Sequence, residues 1–86
     1  MSDSEKQLFE NLAFEHMDSL YSKAIRLARS QEGAEDLVQQ TYASAFGVFE
    51  QFDIRSDFNK WLNEILMCTY STLSKKYPGN FNTTIM

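Results

Sequence analysis

Asp36, Gln39 and Gln40 stand three and four residues apart, a spacing that brings side chains onto one face of a helix. A carboxylate beside two amides supplies hydrogen-bond acceptors and donors but no nucleophile. Such a face suits a helix-on-helix interface, in which short acids and amides meet arginines through charge-assisted hydrogen bonds, and on a generic helix it is more often an ordinary solvated surface. Catalysis finds little material elsewhere. The adjacent carboxylates Glu35 and Asp36 fall at a helix start, where the helix dipole favours negative charge and accounts for them without acid–base work. The single histidine, His16, has no metal-ligating companion at helical spacing. Neither a nucleophile motif nor a phosphate-binding glycine loop nor a zinc pattern occurs. These residues argue against an enzyme and call for no cofactor and no metal.

The elements that must hold this face are helical. Apolar residues at 34, 37, 38, 41/42, 45/46 and 49 repeat at the helical period, predicting a helix from about Gln31 to Glu50 with Ser30 at its start as cap. Before it, apolar positions 8, 9, 12, 17, 20, 21, 24, 25 and 28 keep to one side of a segment from about Ser4 to Ala28, in which His16-Met17-Asp18-Ser19 marks a bend or a short break. After it, Gln51 to Asp57 interrupts the pattern and Ser56 is placed to cap a third helix running to about Lys76. Phe58, Trp61, Leu62, Ile65, Leu66, Thr69 and Leu73 form that helix's apolar face. Tyr77-Pro78-Gly79-Asn80 ends it, because proline lacks a donor and disfavours helical geometry in the residue before it. The expected architecture is all-α, a compact bundle of three to four helices. It occupies residues 1–79, with 80–86 as the start of an interdomain linker or a loose tail.

Eighty-six residues accommodate one small domain, and 43% hydrophobic residues make it globular rather than disordered. One cysteine excludes an internal disulfide, and the polar start, without an export signal, fits a cytoplasmic protein. No apolar run is long enough to span a bilayer. The net charge of -4 is the wrong sign for a stand-alone nucleic-acid binder, since phosphate affinity comes mainly from Lys and Arg displacing counterions. Its distribution is uneven: no acidic side chain follows Glu64, whereas Lys75 and Lys76 lie together near the end of the last helix.

Taken in register, Phe9 to Leu27, Gly33 to Phe52 and Phe58 to Lys76 resemble region 2 of the extracytoplasmic-function sigma factors of the sigma-70 family. The run Glu35-Asp36-Leu37-Val38-Gln39-Gln40-Thr41 carries the likeness most specifically. The resemblance implies transcription initiation. The second helix would dock on the β′ clamp helices of RNA polymerase core through Asp36, Gln39, Gln40 and Thr41, with Gln40 an amide where the family usually has glutamate. The loop Phe52 to Ser56 and the third helix would capture bases flipped from the nontemplate strand of the minus-ten promoter element, a step whose unstacking cost of a few kcal/mol is offset by stacking and base-edge hydrogen bonds. Phe52, Arg55, Asn59, Lys60 and Asn63 are the candidates for that surface, with Lys75 and Lys76 on phosphates. Phe52 serves equally as core; Phe58 and Trp61 belong to the apolar face and read as core.

The chain departs from the family at three places on the third helix. Cys68 stands where the family typically has an asparagine lining the flipped-base pocket, and Glu64 and Met67 stand where arginines are common. Three positions after Ile65, Cys68 reads as a small apolar residue packed inward, a reactive thiol being the other reading. These departures support an alternative function: a sigma-like interaction module that binds an anti-sigma factor or the polymerase clamp without reading DNA. A helical bundle that self-associates through exposed aromatics is a third reading.

Overall fold

The computed structural model describes residues 3–76, which form four helices in the order α1 (Asp3–Glu15), α2 (Met17–Ala28), α3 (Gln31–Val48) and α4 (Phe58–Lys76), with a single 3-10 turn, Phe49–Gln51, closing α3. The residues assigned to the helix stop and the linker, 77–86, lie outside the described residues.

The expected first helix is divided at His16, whose backbone (φ -106°, ψ 9°) departs from helical geometry. The break remains hydrogen-bonded. His16 N donates to both Leu12 O and Ala13 O at 3.2 Å, while its carbonyl accepts from Leu20 N at 3.0 Å. Its ring Nδ1 lies 2.9 Å from Leu12 O, where a proton on that nitrogen completes another hydrogen bond. The reversal between α2 and α3 is tighter. Arg29 adopts the left-handed conformation (φ 62°) and its N–H caps α2 by donating to Ile25 O at 2.7 Å. Left-handed geometry costs an L-residue about 1–2 kcal/mol. Ser30 then starts α3 as its residue type predicts, its Oγ accepting from Gly33 N at 3.0 Å. Such a cap contributes about 1 kcal/mol.

α3 is the central helix, packed against α2 on one side and α4 on the other. Small residues permit this approach: Ala24 of α2 and Ala34 and Ala45 of α3 are fully buried, with Ala28 at 1% exposure. Leu20, Leu37, Leu62 and Leu66 fill the space between the backbones. α1 is held differently, by aromatic contacts and one long-range hydrogen bond. Phe9 sits edge-on to Phe49 at 5.1 Å and Phe46 at 5.3 Å between ring centroids, and Tyr42 Oη donates to Ala13 O at 2.9 Å. Burial raises the Tyr42 phenol above its ordinary pKa. Because α1 and α2 are each covered along one side only, Leu8, Met17 and Ile25, expected on the inward stripe, are about two-fifths exposed; Phe14 is 77% exposed.

α4 is capped by Asp57 rather than by Ser56. The Asp57 carboxylate accepts from Asn59 N at 3.0 Å and Lys60 N at 3.3 Å, and its carbonyl accepts from Trp61 N. Ser56 instead closes the preceding turn, donating its N–H to Asp53 O at 2.7 Å. Charge explains the exchange, since a carboxylate at a helix N-terminus gains from the dipole as well as from the hydrogen bonds.

Candidate functional site

At about 100° per residue, Asp36, Gln39 and Gln40 fall within one arc of α3, opposite the arc of Ala34, Leu37, Val38 and Ala45 that faces the bundle. Asp36 is half-buried, and Gln39 and Gln40 are exposed. Glu35, at the edge of this arc, accepts from Gln31 Nε2 at 3.2 Å and approaches Tyr21 of α2. Desolvation first, and then the Glu35 carboxylate, raise the Tyr21 phenol. The face is therefore anionic and amide-rich, with a hydrogen-bonded margin.

Thr41 does not belong to it. Its side chain is fully buried and its Oγ1 donates to Leu37 O at 2.7 Å, one turn back. Helical geometry gives the reason: Thr41 lies about 100° from Gln40 and inside the arc that Leu37 and Ala45 define. The hydroxyl satisfies itself on the backbone, which lets a polar residue take a core position at little desolvation cost.

On α4, Asn59 and Asn63 are half-buried, whereas Lys60, Lys75 and Lys76 are exposed. Asn59, Lys60 and Asn63 line one shallow depression together with Glu64, Met67 and Cys68. The candidate contacts and the three departures thus occupy the same surface. Lys75 and Lys76 lie beyond it, and Lys76 borders the groove between α3 and α4 that Gln40, Ser44, Trp61 and Cys68 also line.

Cys68 is exposed, which corrects the inward placement. Ile65 already sits at the margin of the stripe centred on Leu62 and Leu66, and three further residues carry Cys68 about 60° farther from it. Phe58 is in the core as expected, at 5% exposure, while Trp61 is half-buried. Phe52 is half-buried in the same aromatic cluster: it stacks on Phe49 at 5.7 Å and 15°, meets Phe58 edge-on at 5.5 Å, and tilts against Trp61 at 4.9 Å. Its ring therefore tethers the start of the loop to the core. Arg55 extends outward from that loop, its side chain 87% exposed and paired with Asp53.

Two contributions were not read from the sequence. Lys23 and Arg26 of α2 face Asn63 and Met67 across a cleft of about 310 Å³ whose remaining walls are Leu27 and Leu66. Their spacing of three residues was a signal, but only the packing of α2 beside α4 brings them to Asn63. The Asn63 Oδ1 atom is buried in this region without a hydrogen-bond partner. Asp53 is the other omission, with carboxylate contacts to both the backbone and the guanidinium of Arg55.

A helical bundle with α3 at its centre, a capped loop and a partly polar α4 defines an all-α recognition domain. Its sequence matches the family model for sigma-70 region 2 over residues 12–67, and the chain belongs to that family. Membership carries a sigma-factor role in binding RNA polymerase core and recognising promoter DNA, and it places the chain among transcription-factor domains rather than enzymes. The match takes in α2, α3, the loop and the depression on α4 as far as Met67, but not Cys68, Lys75 or Lys76. Among the described residues no helix is long and apolar enough to cross a membrane.

Proposed function

We propose that this domain is region 2 of an extracytoplasmic-function sigma factor, which docks on the β′ clamp helices through Asp36, Gln39 and Gln40 and takes up the nontemplate strand of the minus-ten element on the 52–57 loop and α4. The observation that carries the reading is the outward arc of α3, where these three side chains converge opposite the buried arc of Ala34, Leu37, Val38 and Ala45. Arg55, Asn59, Lys60 and Asn63 supply donors on the strand-facing side, with Phe52 anchoring the loop. Thr41 supports α3 from within. Thr41→Ala therefore lowers stability by about 1–2 kcal/mol, through loss of a buried methyl group and hydroxyl, yet leaves capture of polymerase core unchanged at temperatures where the variant is folded. Thermal melts and a core pull-down measure the two effects separately.

The charge of -4 fixes a second expectation. Alone, the chain binds promoter duplex poorly, because few cations are available to displace counterions; core polymerase supplies most of the electrostatics. Fluorescence anisotropy of a labelled nontemplate minus-ten strand, with and without core, measures this. Binding that depends on core is the expected result, and strong sequence-specific duplex binding by the free domain contradicts it.

A second reading is favoured by one observation: Glu64, Met67 and Cys68 share the depression with Asn59, Lys60 and Asn63. A surface so modified suits a protein-interaction module that engages the clamp or an anti-sigma factor. Capture of core with no uptake of the strand is the outcome that selects this reading over the first.

A further inference from the structure

The turn after α3 is built around one side chain. Asp53 Oδ1 accepts from Arg55 N at 3.0 Å and from Arg55 Nε at 3.2 Å, Oδ2 accepts from Arg55 Nη2 at 3.3 Å, and the Asp53 carbonyl accepts from Ser56 N at 2.7 Å. Both ends of the turn are fixed, by Phe52 in the aromatic cluster and by Asp57 on α4. The Arg55 and Asp53 side chains are 87% and 50% exposed, so the ion pair itself adds little to stability. Its consequence is orientation.

A guanidinium has five N–H donors in a rigid plane. The pairing with Asp53 uses Nε and one hydrogen of Nη2, leaving the Nη1 and Nη2 edge as a second fork directed at solvent. That fork matches two adjacent acceptors, and both phosphate and the O6 and N7 edge of guanine offer them. Charge separates these ligands. The Asp53 carboxylate neutralises the guanidinium and would stand close to any phosphate the fork engaged, whereas a base edge carries no net charge and meets only the directed donors. Hydrogen bonds from the Arg55 side chain, and then from its backbone, hold the Asp53 carboxyl below its ordinary range, as expected of a carboxylate that pairs in its charged form. Ile54, at the tip and 59% exposed, adds an apolar side chain beside the fork for the face or edge of an unstacked base.

We propose that Asp53 is a positioning residue that presents Arg55 as the reader of a guanine edge in the unpaired nontemplate strand. The proposal rests on the strand-binding role argued above and names the base and the residue that sets its specificity. Asp53 touches no nucleic acid itself; it acts through Arg55.

The test selects short single strands of randomised sequence with the complex of this chain and polymerase core, then measures affinity against salt. Wild type enriches guanine at one position, and 7-deazaguanine there, which lacks the N7 acceptor, weakens binding about tenfold, while a methylphosphonate at the flanking phosphates changes it little. Asp53→Ala retains helical content but loses guanine enrichment, and its salt slope steepens by about 0.7 as the released guanidinium takes up a phosphate. Arg55→Lys keeps the charge without the fork and also loses the enrichment. Guanine selection that survives Asp53→Ala overturns the proposal, as does an equal loss of affinity for every sequence, which would mark Asp53 as merely structural. Strand uptake with no guanine preference in wild type refutes it and leaves the strand-binding role standing; no uptake at all refutes both.

Discussion

Phe58→Ala lowers the stability of the domain by about 3–5 kcal/mol, the usual cost of emptying a buried phenylalanine site. Phe58 is 5% exposed, and its ring lies 5.4 to 6.4 Å from those of His16, Phe9, Phe49, Phe52 and Trp61. Those neighbours come from separate parts of the chain. Phe9 belongs to α1, His16 to the break between α1 and α2, and Phe49 and Phe52 to the turn that leads into the loop. Few of them can move into the space, because each is already held by another ring or, for His16, by the Leu12 carbonyl, so relaxation recovers little of the lost contact energy. Domains of this size have only several kcal/mol in hand. A midpoint fall of roughly 12–40 °C follows from about 4–8 °C per kcal/mol in a domain of this length. Thermal melting followed by far-ultraviolet circular dichroism measures it, with Phe14→Ala as the comparison: Phe14 is 77% exposed, and its removal shifts the melt by no more than a small surface change does. A loss below about 1 kcal/mol for Phe58→Ala would show that the aromatic cluster does not organise the fold.

Periodicity made α3 legible because a buried central helix shows its whole stripe, and Ser30 marked its start through an ordinary capping role. Periodicity says less about how much of a stripe a neighbour covers. Leu8, Met17 and Ile25 fit the helical spacing and remain partly exposed, because α1 and α2 are covered along narrow edges. Thr41 and Cys68 were misplaced for complementary reasons. A hydroxyl that bonds to the carbonyl one turn back is a tolerable core group, and its residue type hides that option. A cysteine near a stripe looks apolar by type, although a rotation of about 60° past Ile65 places it in solvent. Ser56 and Asp57 competed for one cap, and the charged group won it. The Asp53 and Arg55 contact has no helical period to announce it, since pairs two residues apart meet only when a turn folds them together.

The site divides along the same lines. Asp36, Gln39 and Gln40 required only the register of one helix, so their convergence could be read from spacing. The α4 surface required the placement of a second helix, which brings Lys23 and Arg26 to Asn63 and sets Glu64, Met67 and Cys68 among the candidate strand contacts. Docking through α3 is consequently the central claim, and strand reading is built upon it.

Removing the Asp36 carboxylate and the Gln39 amide together weakens capture of polymerase core at least tenfold. Hydrogen bonds to charged groups contribute about 1.5–3 kcal/mol when their partners would otherwise be stranded in the interface. Neither residue lies in the buried core, so the double variant keeps the melting behaviour of the wild type and the loss belongs to the interface. The direct measurement is a pull-down of core polymerase by the wild-type chain and by Asp36→Ala combined with Gln39→Ala, after melts have shown both to be folded. Retention of core by the wild type and its loss with the double variant is the predicted result; failure of the wild type to retain core, or equal retention by both, would contradict docking through this face of α3.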